Sequence, residues 1–513
     1  MTAGNVPETE DTLEVERLGY KQELPRKFSM FASFAIGFSF ISVTTGVFGG
    51  FGIGLTTAGG LAPWAWLVVS AGQTLVALVF ATLATRIPLA GSSYQWVSRM
   101  LGPTAGWLQG WVFMTYGALV LLLVNYTLAQ TVLPALFNYT GTAASDIAAT
   151  ALIGLAQFLL LLFSTTLTGR INNYAVITEI VGTVGLSLAV LIAVIAKHHV
   201  HVSNLFMANP GHVGSFTAIG GLVHAGWWQT ALLMGIFALN GFEGPADMSE
   251  ETTDADRRVP RAIWTSIAVA GVVGFIFIAV LVMSTPSLAA SAASPTPIAN
   301  IIEVALGTVA GKIFLVCVAY SVLACGLIVF MDMTRIVYAM SRDKRVPGWQ
   351  FLHRINDGLK TPIYATVCVG VLFLILLLVF GRSANALNTI GLTSSVLPPI
   401  MYGGPVLIAL FRRNRLPKSS AWSLGRWEAP VNIAAAVFIL LELFTLRDSS
   451  LKQGWIYLGV AIAVGVAYLI VRRITQGPLT APGATAYSPD DAVAARHSSP
   501  STQEPSFEPW EQE

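Results

Sequence analysis

The chain has 513 residues, 54% of them apolar and only 11% charged, with a mean hydropathy of +0.67. Soluble domains carry about 25% charge, so the composition excludes the soluble classes and predicts an all-α polytopic membrane protein. A net charge of +2 argues against a nucleic-acid or acidic partner, and Cys317, Cys325 and Cys368, scattered through apolar runs, outline neither a disulfide framework nor a zinc site.

Residues 1–27 are polar and acidic, without the apolar core of a cleaved signal, and are expected to form a cytoplasmic segment. A bilayer core takes about 20 apolar residues per helix. Twelve such runs follow, centred near residues 43, 75, 120, 156, 185, 238, 273, 320, 371, 400, 437 and 464, which predicts 12 transmembrane helices. Ten of them lie in 28–412 and two in 427–475. Residues 476–513, rich in Pro, Ser, Thr, Ala and acid, are expected to be a disordered cytoplasmic tail. The weakest separation is in the tenth span, which Pro398, Pro399 and Pro405 are expected to interrupt. A cytoplasmic N-terminus gathers Arg86, Arg99, Arg257, Arg258, Arg342, Arg345, Arg412 and Arg413 on one side. It leaves little beyond Lys197, Lys312, Arg382, Arg447 and Lys452 on the other. Both termini are then inside the cell membrane.

The first span contains "ISVTTGVFGGFGIGL", residues 41–55, in which Val43, Thr44 and Thr45 run into Gly46 and four further glycines. The sixth repeats the anomaly in "LLMGIFALNGFEGPADMSEE", residues 232–251, with Asn240, Gly241, Glu243, Gly244 and Pro245 in mid-span. Such residues free backbone groups from the helix ladder. In lipid, broken helices survive only where they line a protein cavity. Two breaks five helices apart point to a transporter site, and the odd number makes the second five-helix unit enter from the opposite side, an inverted repeat. A half-helix N-terminus offers N–H groups to a carboxylate, and a half-helix C-terminus offers carbonyls to an ammonium or a cation. The bland alternative is that the glycines merely let helices pack closely.

These stretches, together with "ATRIPLAGSSYQWVSRMLGPTAGWLQGW" and "RIVYAMSRDKRVP", resemble the amino acid–polyamine–organocation superfamily of transporters, in particular its amino acid/choline branch. The resemblance covers about residues 25–475. It implies a five-plus-five inverted-repeat core with two extra helices and a substrate between spans 1, 3, 6, 8 and 10. It implies that a substrate carboxylate lies on Thr44, Thr45, Gly46 and Val47. It also implies an amine facing the carbonyls around Asn240 and Gly241, with Phe237 as an aromatic gate.

An intramembrane acid is a functional candidate. Glu179 in the fifth span has no basic residue within a turn and is a candidate proton carrier, or else a protonated structural acid bonded to the first span's carbonyls. The resembling permeases can carry a lysine here in place of a bound sodium ion. Glutamate departs from that pattern and favours H+ over Na+ coupling without excluding sodium. Glu243 is a candidate substrate-amine partner or coupling group, or a group that satisfies the broken backbone. Asp247 ranks below it. Asp332 and Arg335 are expected to pair at i,i+3, and Glu303 and Glu442 to be interfacial. "HHVH", from His198, lacks the acids or cysteines of a metal site, and no metal or cofactor is expected. "TIGLTSSVLPP" in the tenth span could contact substrate or satisfy kinked backbone, and Tyr116 is expected to pack or, second, to wall the site.

Hydrolytic chemistry would need a nucleophile with a base, and none is legible; a channel would need rings of like residues. The reading is a secondary transporter of an amino acid or small amine, not an enzyme, with lipid around it and the oligomeric state open. Choline, left open by Phe237, Phe242, Trp227 and Trp228, polyamines, which would want more acids in the cavity than are legible, and sodium-coupled or exchange variants remain alternatives. A non-transporting sensor is the remote one.

Overall fold

A computed structural model describes residues 15–207, 232–294, 296–356, 358–382, 386–417, 419, 421–447 and 451–479. The described residues are helical and contain no strand beyond a single bridge between Phe28 and Thr252. In chain order the helices are α1 Met30–Ile41, α2 Val43–Ala58, α3 Ala62–Arg86, α4 Ser92–Met100, α5 Pro103–Thr127 and α6 Leu133–Phe137. Then follow α7 Ala143–Phe163, α8 Thr165–Ala196, α9 Leu233–Ala238, α10 Gly244–Asp247, α11 Ala255–Met283, α12 Leu288–Ala292 and α13 Pro297–Leu306. The last are α14 Thr308–Arg342, α15 Trp349–Leu352, α16 Ile363–Phe380, α17 Ala386–Phe411, α18 Glu428–Thr445 and α19 Lys452–Gln476.

Among the described residues, 10 stretches are long and apolar enough to cross a membrane. The twelve expected from sequence divide the first of these, the 57 residues Met30–Arg86 that comprise α1 to α3, into two. They also add α9 and α10, whose pieces of 6 and 4 residues are too short to qualify alone. α3 and α11 pack along much of their lengths, with α1 against α11, while α5 packs on α14 and α17. Shells such as α7, α16 and α19 turn apolar side chains outward, with Phe163, Leu378 and Ile474 all exposed, as lipid-facing helices do.

Two prolines show how the backbone is satisfied in this setting. A proline removes the N–H that would bond the carbonyl four residues back. Pro260 thereby frees the Asp256 carbonyl, which accepts from the Thr85 hydroxyl at 2.7 Å. Pro405 frees that of Met401, which accepts from Gln109 Nε2 at 2.6 Å. With that donor supplied by α5, α17 runs on through Pro398, Pro399 and Pro405, where the sequence suggested an interruption.

The first-span glycines divide into two groups. A Cβ on Gly46 would stand 2.6 Å from the Ala238 Cβ, and one on Gly54 2.6 Å from the Met234 Sδ; Gly50 would approach Met234 at 3.2 Å. Spaced four apart, these three form one face of α2, against which α9 crosses closely. Gly49 and Gly52 meet nothing within 4 Å. The bland reading of the run is therefore correct for three of its members.

The segments expected at the cytoplasmic side gather at one face. Arg86 bridges Glu428 through both carboxylate oxygens at 2.9 Å, Arg342 bonds Glu250 at 2.8 Å, and Arg99 reaches the Leu18 carbonyl at 2.7 Å. Elsewhere Lys197 bonds the Ala305 carbonyl and Lys312 those of Ala135 and Leu136.

Candidate functional site

The first-span break is centred on Ser42, which adopts φ 41° and ψ 86°. Its N–H closes α1 on the Phe38 carbonyl, and its own carbonyl opens α2 by accepting from Gly46 N–H, both at 2.8 Å. Sequence reading placed the break over Thr44–Val47. Serine takes it because its side-chain oxygen caps the new helix, accepting from Thr45 N–H at 3.4 Å. Thr44, Thr45, Gly46 and Val47 form the first turn of α2 instead.

The sixth-span break is the stretch between α9 and α10. Gly241 adopts φ +97°, and a Cβ there would lie 1.9 Å from the Phe40 ring, so α1 and the bend between α9 and α10 touch through a residue that must lack a side chain. Asn240 turns its amide back onto the carbonyls that the break frees, donating to Ile236 at 2.5 Å and Phe237 at 3.3 Å. Gly241 N–H donates to the Tyr402 hydroxyl at 3.1 Å, which donates to Glu243 Oε2 at 2.8 Å.

Between the two breaks is a cavity of about 70 Å³, lined by Thr45, Gly46, Tyr116, Phe237, Asn240 and Ser394 among others. Tyr116, which the sequence offered either as a packing aromatic or, second, as a wall of the site, is on its wall. Phe237 stands over it, 3.8 Å from where a Cβ on Gly391 would be. Of the tenth-span hydroxyls, Thr393 and Ser395 bond carbonyls of their own helix, as does Ser394 beside the cavity. Trp227 and Trp228 lie outside the described residues.

Glu179 is buried and bonds three elements. Oε1 accepts from Thr44 N–H at 2.8 Å and lies 3.3 Å from the Ser42 hydroxyl; Oε2 accepts from the Ser321 hydroxyl at 2.6 Å. The chain's own carboxyl thus occupies one of the amides at the positive end of α2. Thr44 bonds Thr183 through its hydroxyl at 3.0 Å. Glu179 and Thr44 border a second cavity of about 370 Å³ between α8, α13 and α14, so the first turn of α2 separates the two spaces.

Two expectations are corrected here. Arg335 does not pair with Asp332: its Nε and Nη2 bond Glu251 at 2.7 and 3.0 Å, because a two-pronged carboxylate contact outweighs an i,i+3 neighbour. Glu442 is buried at 1% exposure, not interfacial, and accepts from Gln73 Nε2 at 2.8 Å. Ser42, Ser321, Tyr402 and Gln73 were not singled out in the sequence. Ser321 and Gln73 carried a signal, as single polar residues in apolar runs. Cys325 lines the cavity with its thiol toward the Phe40 carbonyl at 3.4 Å. Among the described residues no group of three His, Cys, Asp or Glu could hold a metal.

Residues 28–467 match the amino acid permease family. The chain is similar to the amino-acid permease BAT1 of Arabidopsis thaliana, 27% identical over 455 residues, 83% of this chain and 86% of that one. It is likewise similar to the BAT1 homolog of Oryza sativa, 27% identical over 509 residues, 91% and 95% of the two chains. A putative polyamine transporter of Candida albicans is 24% identical over 499 residues, 90% and 88%. A broken-helix core around an internal cavity and a family match across most of the chain lead to one conclusion: this is a multi-pass membrane protein that belongs to the amino acid permease family, within the amino acid–polyamine–organocation superfamily of transporters.

Proposed function

We propose that the protein is a secondary active transporter that imports an amino acid or related small amine across the cell membrane by alternating access, coupled to protons, with both termini cytoplasmic. The observation that carries the reading is the cavity enclosed by both helix breaks, with Thr45, Gly46, Phe237 and Asn240 on its wall. Two breaks five spans apart support an inverted repeat. In this reading the cavity edge of α2 receives the substrate carboxylate, the carbonyl-rich bend at Asn240 and Gly241 faces the amine with Glu243 behind it, and Phe237 gates. Glu179 and Glu243 are the proposed proton carriers. Glu179 borders a separate cavity, so a proton can reach it without crossing the substrate's space. The energetics suffice: a charge crossing ~100 mV yields about 2.3 kcal/mol, and at about 1.4 kcal/mol per tenfold that sustains a gradient of roughly 40-fold for a zwitterion.

A second reading, an organic cation such as a polyamine, is favoured by Glu243 Oε1, which is buried with no hydrogen-bond partner among the described residues. Uptake into proteoliposomes of labelled GABA, neutral, acidic and basic amino acids, choline and putrescine tests both readings, with an inward proton gradient, an inward sodium gradient or neither. Accumulation of an amino acid with the proton gradient alone supports the first. Putrescine or choline alone supports the second. A requirement for sodium removes the proton assignment.

A further inference from the structure

Below the cavity, towards the face where the basic segments gather, Glu243, Asp247 and Asp332 are each 0% exposed. α10 packs on α14, and the Asp247 and Asp332 carboxyls lie against each other. All four of their oxygens are without a hydrogen-bond partner among the described residues. The Ser92 hydroxyl, fully buried at the start of α4, stands beside Asp247. Arg335, one turn from Asp332, is taken by Glu251. The remaining titratable groups facing this place are Glu243 itself and, around it, Tyr116 and Tyr402.

Buried polar atoms without partners mark a position that something fills. Two carboxyls side by side in a dry interior cannot both be charged. A proton shared between them converts repulsion into a donor and an acceptor, and the pair titrates as a unit. A structural acid pair would have been given a full set of donors, as Glu179 was with three, and here a single serine hydroxyl stands beside two carboxyls. Asp247 is also one turn along the chain from Glu243, at the end of α10, which the bend joins to α9 and its Phe237. A movement of that bend with substrate is therefore transmitted directly to the pair.

We propose that Asp247 and Asp332 form a proton-sharing pair that is the cytoplasmic stop of the coupling proton. The pair receives the proton from Glu243 and releases it when α10 and α14 part. One proton arrives and one leaves, and only O–H bonds are made and broken. This rests on the proton-coupled reading above.

The test uses the full chain in proteoliposomes with the same labelled panel, comparing wild type with Asp247→Asn and Asp332→Asn, which preserve shape. In each variant the roughly 40-fold gradient sustained by the proton falls to about equal concentrations, while exchange of labelled for unlabelled substrate continues. The infrared band of protonated carboxyls, read in detergent without substrate, loses the same component in both variants, while the contribution of Glu179 and Glu243 remains. A wild type driven by protons beside variants that accumulate normally overturns the pair and leaves the transport reading standing. A wild type with no proton-driven uptake overturns both. An infrared band unchanged in both variants also overturns the pair. Where an asparagine variant gives no monodisperse protein, Asp332→Glu replaces it: the titrating group is kept, so coupling is kept with a displaced pH midpoint, and a wild-type pH profile overturns the proposal.

Discussion

Glu179 uses two oxygens to hold α8, α2 and α14 together. Deleting its carboxyl leaves the Thr44 N–H without its acceptor, at about 1–3 kcal/mol for a buried group left unmade, and takes one partner from the Ser42 and Ser321 hydroxyls, which still bond each other. Glutamine keeps the geometry, since its carbonyl can accept from Thr44 and its amide can donate to Ser321, but it carries no proton. The expected outcome is that Glu179→Gln melts within a few degrees of wild type and exchanges substrate, yet loses proton-driven accumulation. Glu179→Ala is expected to lose the folded protein. Wild-type accumulation by the glutamine variant would reduce Glu179 to a helix cap. The acid itself was legible, because an ionisable residue in an apolar run stands out against its neighbours. Its partners were not, because nothing in the period of one helix says which hydroxyl of another faces it. The same limit misassigned Arg335: the nearest acid in sequence is Asp332, and the acid that meets its guanidinium with two oxygens comes from the turn after α10.

At the level of elements, the existence of the two broken spans was legible from glycine and proline alone, and the position of the first break was not. Composition reports where a helix is weak. Where it breaks depends on which residue can cap the second half, and Ser42 can. Most of the glycines serve a different purpose, the close crossing of α2 and α9, and the two purposes are separable by mutation. Gly241→Ala puts a Cβ into the Phe40 ring at a φ of +97°, so a left-handed strain of about 1 kcal/mol or more adds to a clash that Phe40 must move to relieve. A melting temperature several degrees lower and lost transport are expected. Gly49→Ala meets nothing within 4 Å yet borders the cavity, so it is expected to leave the melting temperature unchanged and raise the KM. Equal stability losses in the two variants would contradict this division. α17 offers a third case. Gln109→Leu leaves the Met401 carbonyl without the donor that Pro405 made necessary, and a loss of about 1–3 kcal/mol is expected in thermal unfolding.

For the molecule as a whole, the N-terminal segment takes part in the packing at the face where the basic segments gather. Tyr20 donates to Asp343 at 2.7 Å and lies under the Arg342 guanidinium, 3.8 Å from its ring. The Tyr338 hydroxyl donates to Glu23 at 2.8 Å, and Gln22 and Arg26 bond the Glu250 and Thr252 carbonyls. Residues 20–28 thereby tie the end of α14 to the turn after α10, the two elements whose separation opens an inward path under alternating access. Burial and the neighbouring Asp343 push the Tyr20 phenol above its ordinary range. A raised pKa in a group that is neutral when protonated gives a contribution complete below about pH 10, the unfolded phenol's value, and lost as the pH rises past it; throughout the neutral range the clamp is intact. Cys325, on the cavity wall, reports its opening. In a Cys317→Ala, Cys368→Ala background and inside-out vesicles, a membrane-impermeant maleimide should label Cys325 slowly. Tyr20→Ala removes the hydrogen bond and the cation–π contact, together worth about 1–3 kcal/mol, and should raise the labelling rate by about tenfold at neutral pH, with Asp343→Asn intermediate because the arginine still stacks. Equal rates in all three proteins would show that the N-terminal segment packs on the closed face without holding it shut.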